Sequence, residues 1–237
     1  MPMTSSYGQF CPVAMAAEIV CTRWTPLILR ELLAGSTRFN ELRKGVPAMS
    51  PTLLSKRLKE LESAGLIRRL AAEDGAGHLY HLTESGEDLR PVIMALGFWG
   101  QRWVEAEISL KNLNPSLLMW DMRRNLDGAR LPAGRCVVQF LYPEIPPAKR
   151  TWWLVVDGGQ VDLCQFDPGF PVDLYVETSL RTMTAIWMGL TTVATEQRRD
   201  RLRLEGRRDL RNSMQQWLGL SPFATEAKRV GGLAAAE

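Results

Sequence analysis

Apolar positions along the first hundred residues fall mostly at helical spacing. Ile19, Trp24, Leu27, Ile28, Leu32 and Leu33 form one stripe that stops near Gly35. Thr37 is placed to cap a short second helix carrying Phe39 and Leu42, which ends at Gly45 and Pro47. The stretch SPTLLSKRLKELESAGLI, Ser50 to Ile67, then predicts a third helix. Ser50 is its N-cap and Pro51 its first helical residue, where a missing N–H costs nothing. Leu54, Leu58 and Leu61 repeat toward a core, and Gly65 supplies a left-handed stop. Leu66 to Leu70 and His78 to Leu82 flank the polar link AAEDGAG, which predicts a β-hairpin. Thr83 starts a long helix through Leu89, Val92, Ile93, Leu96, Trp99 and Trp103.

From Asn114 the period shortens. Cys136 to Tyr142, Thr151 to Val156, Val161 to Phe166 and Val172 to Thr178 read as strands, with a strong turn signal at Asp157-Gly158-Gly159. A helix from Leu180 to Leu190, a short strand from Leu202 to Glu205 and a helix from Asp209 to Leu218 follow. The fold class expected is α+β: a helical N-terminal domain with a hairpin, residues 1–107, and an α+β domain with a mostly antiparallel sheet, residues 114–224. Lys111 to Pro115 is the expected link, and residues 225–237, polar and rich in alanine and glycine, are expected to form a flexible tail.

Composition narrows the function classes. With 237 residues, 46% hydrophobic and 23% charged, the chain can build two cores. A net charge of +3 is compatible with a polyanionic partner without demanding one. No secretory signal is evident at MPMTSSYGQF, and no apolar run approaches the roughly 18 residues of a membrane span, so a cytoplasmic protein with no membrane partner is expected. Cys11, Cys21, Cys136 and Cys164 are scattered and only His78 and His81 could join them, which argues against a metal site or a disulfide framework. No histidine follows Asn114, and Asp157, Asp162, Asp167 and Asp173 read as turn residues. We therefore expect no catalytic residues and no cofactor.

On the helix from Ser50, the face opposite the leucines presents Thr52, Ser55, Lys56 and Lys59, with Arg57 at its margin. Alone, that pattern suits any solvated helix. Its surroundings favour a nucleic-acid interface: a short helix precedes it, a hairpin follows, and residues 38–69 hold eight basic and three acidic side chains, a net +5. Residues 1–107 as a whole hold twelve of each sign, so the positive charge is concentrated there. The element order is that of a winged helix-turn-helix.

CPV at Cys11, RWTPLILREL (Arg23 to Leu32), RFNEL (Arg38 to Leu42), the stretch from Ser50, YHLTESGEDL (Tyr80 to Leu89) and FWGQRW to Trp103 together resemble the HxlR-type winged helix-turn-helix regulators, dimeric relatives of the MarR group. The resemblance covers Cys11 to Trp103. It implies a transcription factor binding double-stranded DNA as a homodimer built partly from its first and last helices, with the helix from Ser50 in the major groove and the hairpin as a wing. The contacts expected are Arg38, Asn40, Ser50, Pro51, Thr52, Ser55, Lys56, Arg57, Lys59, Arg68, Arg69 and His78. The wing tip, Glu73-Asp74-Gly75-Ala76-Gly77, is acidic where a basic residue often reaches the minor groove. Either Arg68, Arg69 and His78 touch the DNA backbone instead, or the wing merely packs. In some proteins of this type a cysteine in the place of Cys11 is a redox or electrophile switch; the other reading is a small, inert, buried side chain.

The second half is unusually rich in tryptophan and methionine. Trp120, Trp152, Trp153, Met183, Trp187 and Trp217 would either line an apolar pocket or form plain core. VDLYVETSLRTMTAIWMG (Val172 to Gly189), RLRLEG (Arg201 to Gly206) and a closing helix to WLGL make Asn114 to Leu220 similar to sterol-carrier-protein-type domains. That resemblance implies a five-stranded sheet and helices enclosing a lipid-sized cavity, hence an apolar small-molecule or lipid effector. It also opens an alternative, a lipid carrier whose winged helix only dimerises it. The run QRRDRLRLEGRRDLR (Gln197 to Arg211) reads either as a solvated sheet edge or as a second nucleic-acid surface.

Overall fold

A computed structural model describes residues 6–73, 75, 77–111 and 113–230. The chain divides into two compact units, Met1–Leu96 and Gly97–Glu237. In the first, helices α1 (Pro12–Val20), α2 (Thr25–Leu33), α3 (Phe39–Gly45) and α4 (Pro51–Ser63) precede strands β1 (Ile67–Ala71) and β2 (His78–Leu82), then α5 (Glu84–Glu87) and α6 (Arg90–Trp103). The two strands pair antiparallel, Ile67 opposite Leu82 and Ala71 opposite His78. Arg38 adds an isolated antiparallel bridge to Leu79, and the Tyr80 N–H donates to Thr37 O at 2.8 Å. The start of α3 is thereby stitched to the hairpin.

The core of this unit gathers Ile28, Leu29 and Leu32 from α2, Leu42 from α3, Leu54, Leu58 and Leu61 from α4, Ile67 from β1 and Ile93 from α6. One charge is buried with them. The Glu31 carboxylate, fully inaccessible, accepts from Arg30 Nε at 3.2 Å and Nη2 at 2.7 Å and from Ser36 Oγ at 3.4 Å. Arg30 Nη2 also donates to Gly45 O at 3.0 Å, which ties the end of α3 to α2. A Cβ on Gly45 would stand 1.8 Å from the Glu31 carboxyl carbon, so only glycine lets α3 come this close.

Three local expectations are corrected. Thr37 does not cap α3; the cap falls one residue later at Arg38, and Glu41 Oε2 accepts from both the Thr37 N–H (2.9 Å) and the Arg38 N–H (3.0 Å). The long helix expected from Thr83 is two. Thr83 caps α5 through Gly86 N–H, and Pro91, lacking an N–H to offer Glu87 O, forces a restart at α6. The stripe from Ile19 to Leu33 likewise spans a break between α1 and α2, where Trp24 takes a left-handed φ of 80°.

The second unit comprises the rest of α6, then α7 (Ala106–Ser109), α8 (Pro115–Asn125), β3 (Cys136–Leu141), β4 (Thr151–Asp157), β5 (Gln160–Cys164), β6 (Leu174–Thr178), α9 (Leu180–Trp187), α10 (Val193–Arg198), β7 (Leu202–Gly206) and α11 (Arg208–Trp217). The sheet order is β5-β4-β3-β6-β7; β3 and β6 run parallel and the other neighbours antiparallel. Gly158 and Gly159, both at positive φ, make the two-residue turn between paired Asp157 and Gln160. Val138, Phe140, Trp152, Leu154, Leu174, Val176, Leu202 and Leu204 alternate onto one face and are buried with Met119, Met122, Met183, Ile186, Met214 and Trp217 of the helices.

The expected link at Lys111 to Pro115 contains the start of α8: Asn114 accepts from Leu117 N–H at 3.1 Å and Pro115 is the first helical residue. Nor does the chain fray directly after Ala224. Glu226 pairs with Arg102 at 2.9 Å and Arg229 N–H donates to Arg102 O, so residues 225–230 are held; 231–237 lie outside the described residues.

The Gly45 contact yields a test with a definite sign. Helix propensity favours Gly45→Ala; the carboxylate behind it opposes the change and should dominate, costing about 2 kcal/mol of stability as overpacking typically does. Urea unfolding followed by tryptophan fluorescence would show a lowered midpoint, and a raised midpoint would contradict the close approach.

Candidate nucleic-acid interface

Helix α4 is amphipathic because its leucines recur every three or four residues. Leu54, Leu58 and Leu61 are at most 2% exposed, while Pro51, Thr52, Ser55, Lys56 and Lys59 face solvent. Ser50 caps the helix, accepting from Leu53 N–H at 3.2 Å. The start of α4 thus offers two hydroxyls, Thr52 and Ser55, beside free N–H groups and the positive end of the helix dipole. Lys56 lies 3.9 Å from Glu60, a loose pair, and remains 68% exposed. Lys59 is exposed and has no ion-pair partner among the described residues. Arg57 differs: its side chain is 18% exposed, folded onto Glu60, with Nε buried and unsatisfied. It is poorly placed to reach outward.

The hairpin positions a second group. Arg38, Asn40 and His78, with Lys44, surround a cleft of about 430 Å³ between the start of α3 and the hairpin, walled by Phe39 and Tyr80. Lys44 escaped the sequence-based contact set, although it stands in the basic run; only the fold brings it beside His78. Arg68 and Arg69 are exposed on β1, pointing to opposite sides of the strand, and Arg69 Nε sits 4.0 Å from Glu62 of α4. Asp74 and Ala76 of the wing tip lie outside the described residues. The structure therefore assembles two clusters in the first unit, one on α4 and one around the cleft. Glu31 and Gly45 hold the end of α3, the helix that carries Asn40 and Lys44, against α2. Their signal in the sequence was a lone acid in an apolar stripe, and it was missed.

Cys11 is the N-cap residue of α1 and half-buried. Hydrogen bonds from the backbone N–H groups of Ala14 and Val13 lower its thiol pKa. Cys136 is inaccessible, and burial pushes its thiol up to about 11; Cys164 is raised for the same reason. Cys21 is exposed on the turn after α1.

The tryptophans and methionine expected to line a pocket are not all together. Trp152, Met183, Trp187 and Trp217 share the packed core beneath the sheet. Trp153 alternates to the opposite face of β4, so it cannot line the same space as Trp152. Trp120 is buried on α8, with the Arg123 and Arg124 guanidinium groups 5.0 and 5.6 Å from its ring centre. A buried polar group also enters this core: the Tyr142 hydroxyl donates to Met119 Sδ at 3.1 Å, and burial raises its pKa. Among the described residues no group of three or more His, Cys, Asp or Glu could hold a metal ion, and no helix is long and apolar enough to cross a membrane.

Comparison with known proteins bears on the first unit. Residues 19–108 match the model of the HxlR-like helix-turn-helix. YvaP, an HTH-type transcriptional regulator of Bacillus subtilis (strain 168), is 36% identical over 100 residues, 41% of this chain and 93% of its own length. The HTH-type transcriptional regulator sll1512 of Synechocystis sp. is 33% identical over 101 residues, 42% of this chain and 75% of its own. Among solved structures, the reduced form of the transcriptional regulator YodB from B. subtilis shares 33% identity, covering 39% of this chain and 93% of that one, with a TM-score of 0.35.

The thiols should separate in a labelling experiment. Iodoacetamide alkylation read peptide by peptide as pH rises should give Cys11 the lower midpoint, with Cys136 and Cys164 reacting only at higher pH, because a lowered pKa means thiolate already present nearer neutrality. Coincident midpoints would remove the helix N-terminus as an activator of Cys11.

Proposed function

The chain belongs to the HxlR-like helix-turn-helix family of DNA-binding transcription regulators, and on that premise we propose that it acts in the cytoplasm as a homodimer on a pseudo-palindromic operator. The observation that carries this reading is the division of α4 into a face of buried leucines and a face of exposed hydroxyls and lysines. Thr52 and Ser55, with Ser50 and Pro51 at the helix start, approach base edges and phosphates, while Lys56 and Lys59 neutralise phosphates. Arg38, Asn40 and His78 meet the flanking backbone from the cleft, with Arg68 and Arg69 beside them. Arg57 plays a lesser part because Glu60 holds it.

Two-fold assembly is supported by exposed apolar side chains that water should not face. Val13, Met15 and Ile19 on α1, Leu27 on α2, and Val92, Leu96, Trp99 and Trp103 on α6 are each at least 40% exposed. Half-sites would then lie about one helical turn of DNA apart, or a multiple of it. A second layer of control is supported by the lowered Cys11 thiol, which favours oxidation as a switch. The C-terminal unit, with helices packed on one face of its five-stranded sheet, is read as a sterol-carrier-type domain taking an apolar effector.

Salt titration of DNA affinity tests the assignment of α4. Replacing both Lys56 and Lys59 with alanine should weaken binding across sequences and reduce the slope of log K against log salt by about two. A slope equal to that of the unaltered protein would take that face off the DNA.

A further inference from the structure

Helix α6 is weak by sequence in its second half. LGFWGQRW places Gly97 and Gly100 within one turn, among aromatic residues of modest helix propensity. Yet this half displays Trp99 and Trp103, 58% and 42% exposed, continuing the stripe begun by Val92 and Leu96. The two glycines are not equivalent. A Cβ on Gly100 would meet nothing within 4 Å, whereas one on Gly97 would stand 2.2 Å from a ring carbon of Phe223. Phe223 occupies the notch that Gly97 leaves and stacks edge-on against Phe98, ring centres 5.4 Å apart at 90°.

The segment around Phe223 is anchored at both ends. Before it, Ser221 N–H donates to Trp187 O at 2.9 Å, at the end of α9, and Gln101 Nε2 of α6 reaches Met188 O at 3.1 Å. After it, Glu226 pairs with Arg102 at 2.9 Å, Lys228 Nζ donates to Val104 O, and Arg229 N–H donates to Arg102 O at 2.9 Å. The Arg229 guanidinium then lies 5.7 Å from the centre of the Trp103 ring. Arg229 thus binds a carbonyl in the last turn of α6, which the helix itself leaves unpaired, Lys228 binds the carbonyl just past it, and Arg229 borders the apolar stripe.

We propose that Phe223, seated against Gly97, is a positioning residue: the segment from Ser221 to Arg229 clamps the second half of α6 and thereby sets how strongly Trp99 and Trp103 engage a second copy of the chain. This rests on the homodimer reading given above. The clamp stabilises a helix that its own sequence leaves frail, with Phe223 seated away from the stripe at Gly97 and Arg229 at its border over Trp103.

The full-length chain carrying Phe223→Ala, Phe223→Leu, Gly97→Ala, Gly100→Ala or the pair Gly97→Ala with Phe223→Ala provides the test. Self-association is read by sedimentation and the protection of residues 97–104 by amide hydrogen exchange. Phe223→Ala should weaken self-association by about tenfold or more and speed exchange in 97–104 while leaving α4 protected, and Phe223→Leu should recover most of both. Gly97→Ala should mimic Phe223→Ala in the otherwise native chain but add nothing, or even slow exchange, once Phe223 is alanine. Gly100→Ala should slow exchange in either background. If Gly97→Ala instead slows exchange in the native chain, or Phe223→Ala leaves both readouts unchanged, the clamp is wrong. A chain that never self-associates would overturn the homodimer reading and the dimer half of this proposal, while exchange would still decide whether the clamp exists.

Discussion

The buried Glu31 carboxylate governs the geometry of the first unit. A charge with no solvent must be satisfied locally, and here Arg30 and Ser36 satisfy it while Arg30 also reaches Gly45 O. That arrangement fixes where the end of α3 meets α2. The start of α3 is fixed separately by Glu41 capping and by the hydrogen bond from Tyr80 N–H to Thr37 O. With both ends of α3 held, the cleft bearing Arg38, Asn40, Lys44 and His78 has defined walls, and α4 can leave Ser50 with its leucines aimed at Ile28 and Leu29. Polar surface on α4 then faces outward by default.

Much of this was legible in residue order, for identifiable reasons. Leu54, Leu58 and Leu61 recur at one period only, and Ser50-Pro51 and Gly65 mark both ends, so α4 lies within a few residues of where the pattern puts it. The hairpin and the turn at Gly158 and Gly159 follow from equally local chemistry. What escaped depends on atoms distant in the chain. Pro91 splits α5 from α6 through a single missing N–H, which a stripe of leucines conceals. Helix α8 starts inside a segment that looks like a linker because Asn114-Pro115 serves equally as turn and as cap. Trp153 seemed a companion of Trp152 by composition, but strand alternation sends neighbours to opposite faces.

Glycine composition was equally ambiguous until neighbours were known. Gly45 and Gly97 both sit in helices, where glycine normally only weakens. In each case the absent Cβ admits a specific side chain, the Glu31 carboxylate or the Phe223 ring. Gly100, three residues after Gly97, admits nothing. No property of the glycines themselves separates these roles.

The same dependence on partners distinguishes two basic regions that look alike on paper. From Gln197 to Arg211 there are seven arginines, more than in the stretch around α4. In the folded unit most are engaged by nearby acids: Glu196 takes Arg199 and Arg201, Glu205 takes Arg203, and Asp173 and Asp209 take Arg207. Glu177 also stands directly across from Arg203 on the neighbouring strand. Those pairs screen four of the seven at short range and shield an edge strand that would otherwise offer its backbone to another sheet, while Arg198, Arg208 and Arg211 are exposed without an acid partner among the described residues. On α4, Lys59 has no acid to hold it among the described residues and Lys56 is only loosely paired at 3.9 Å. Arginine count alone ranks the run from Gln197 first; tracing partners shows four of its seven arginines held by acids, whereas Lys56 and Lys59 of α4 face solvent.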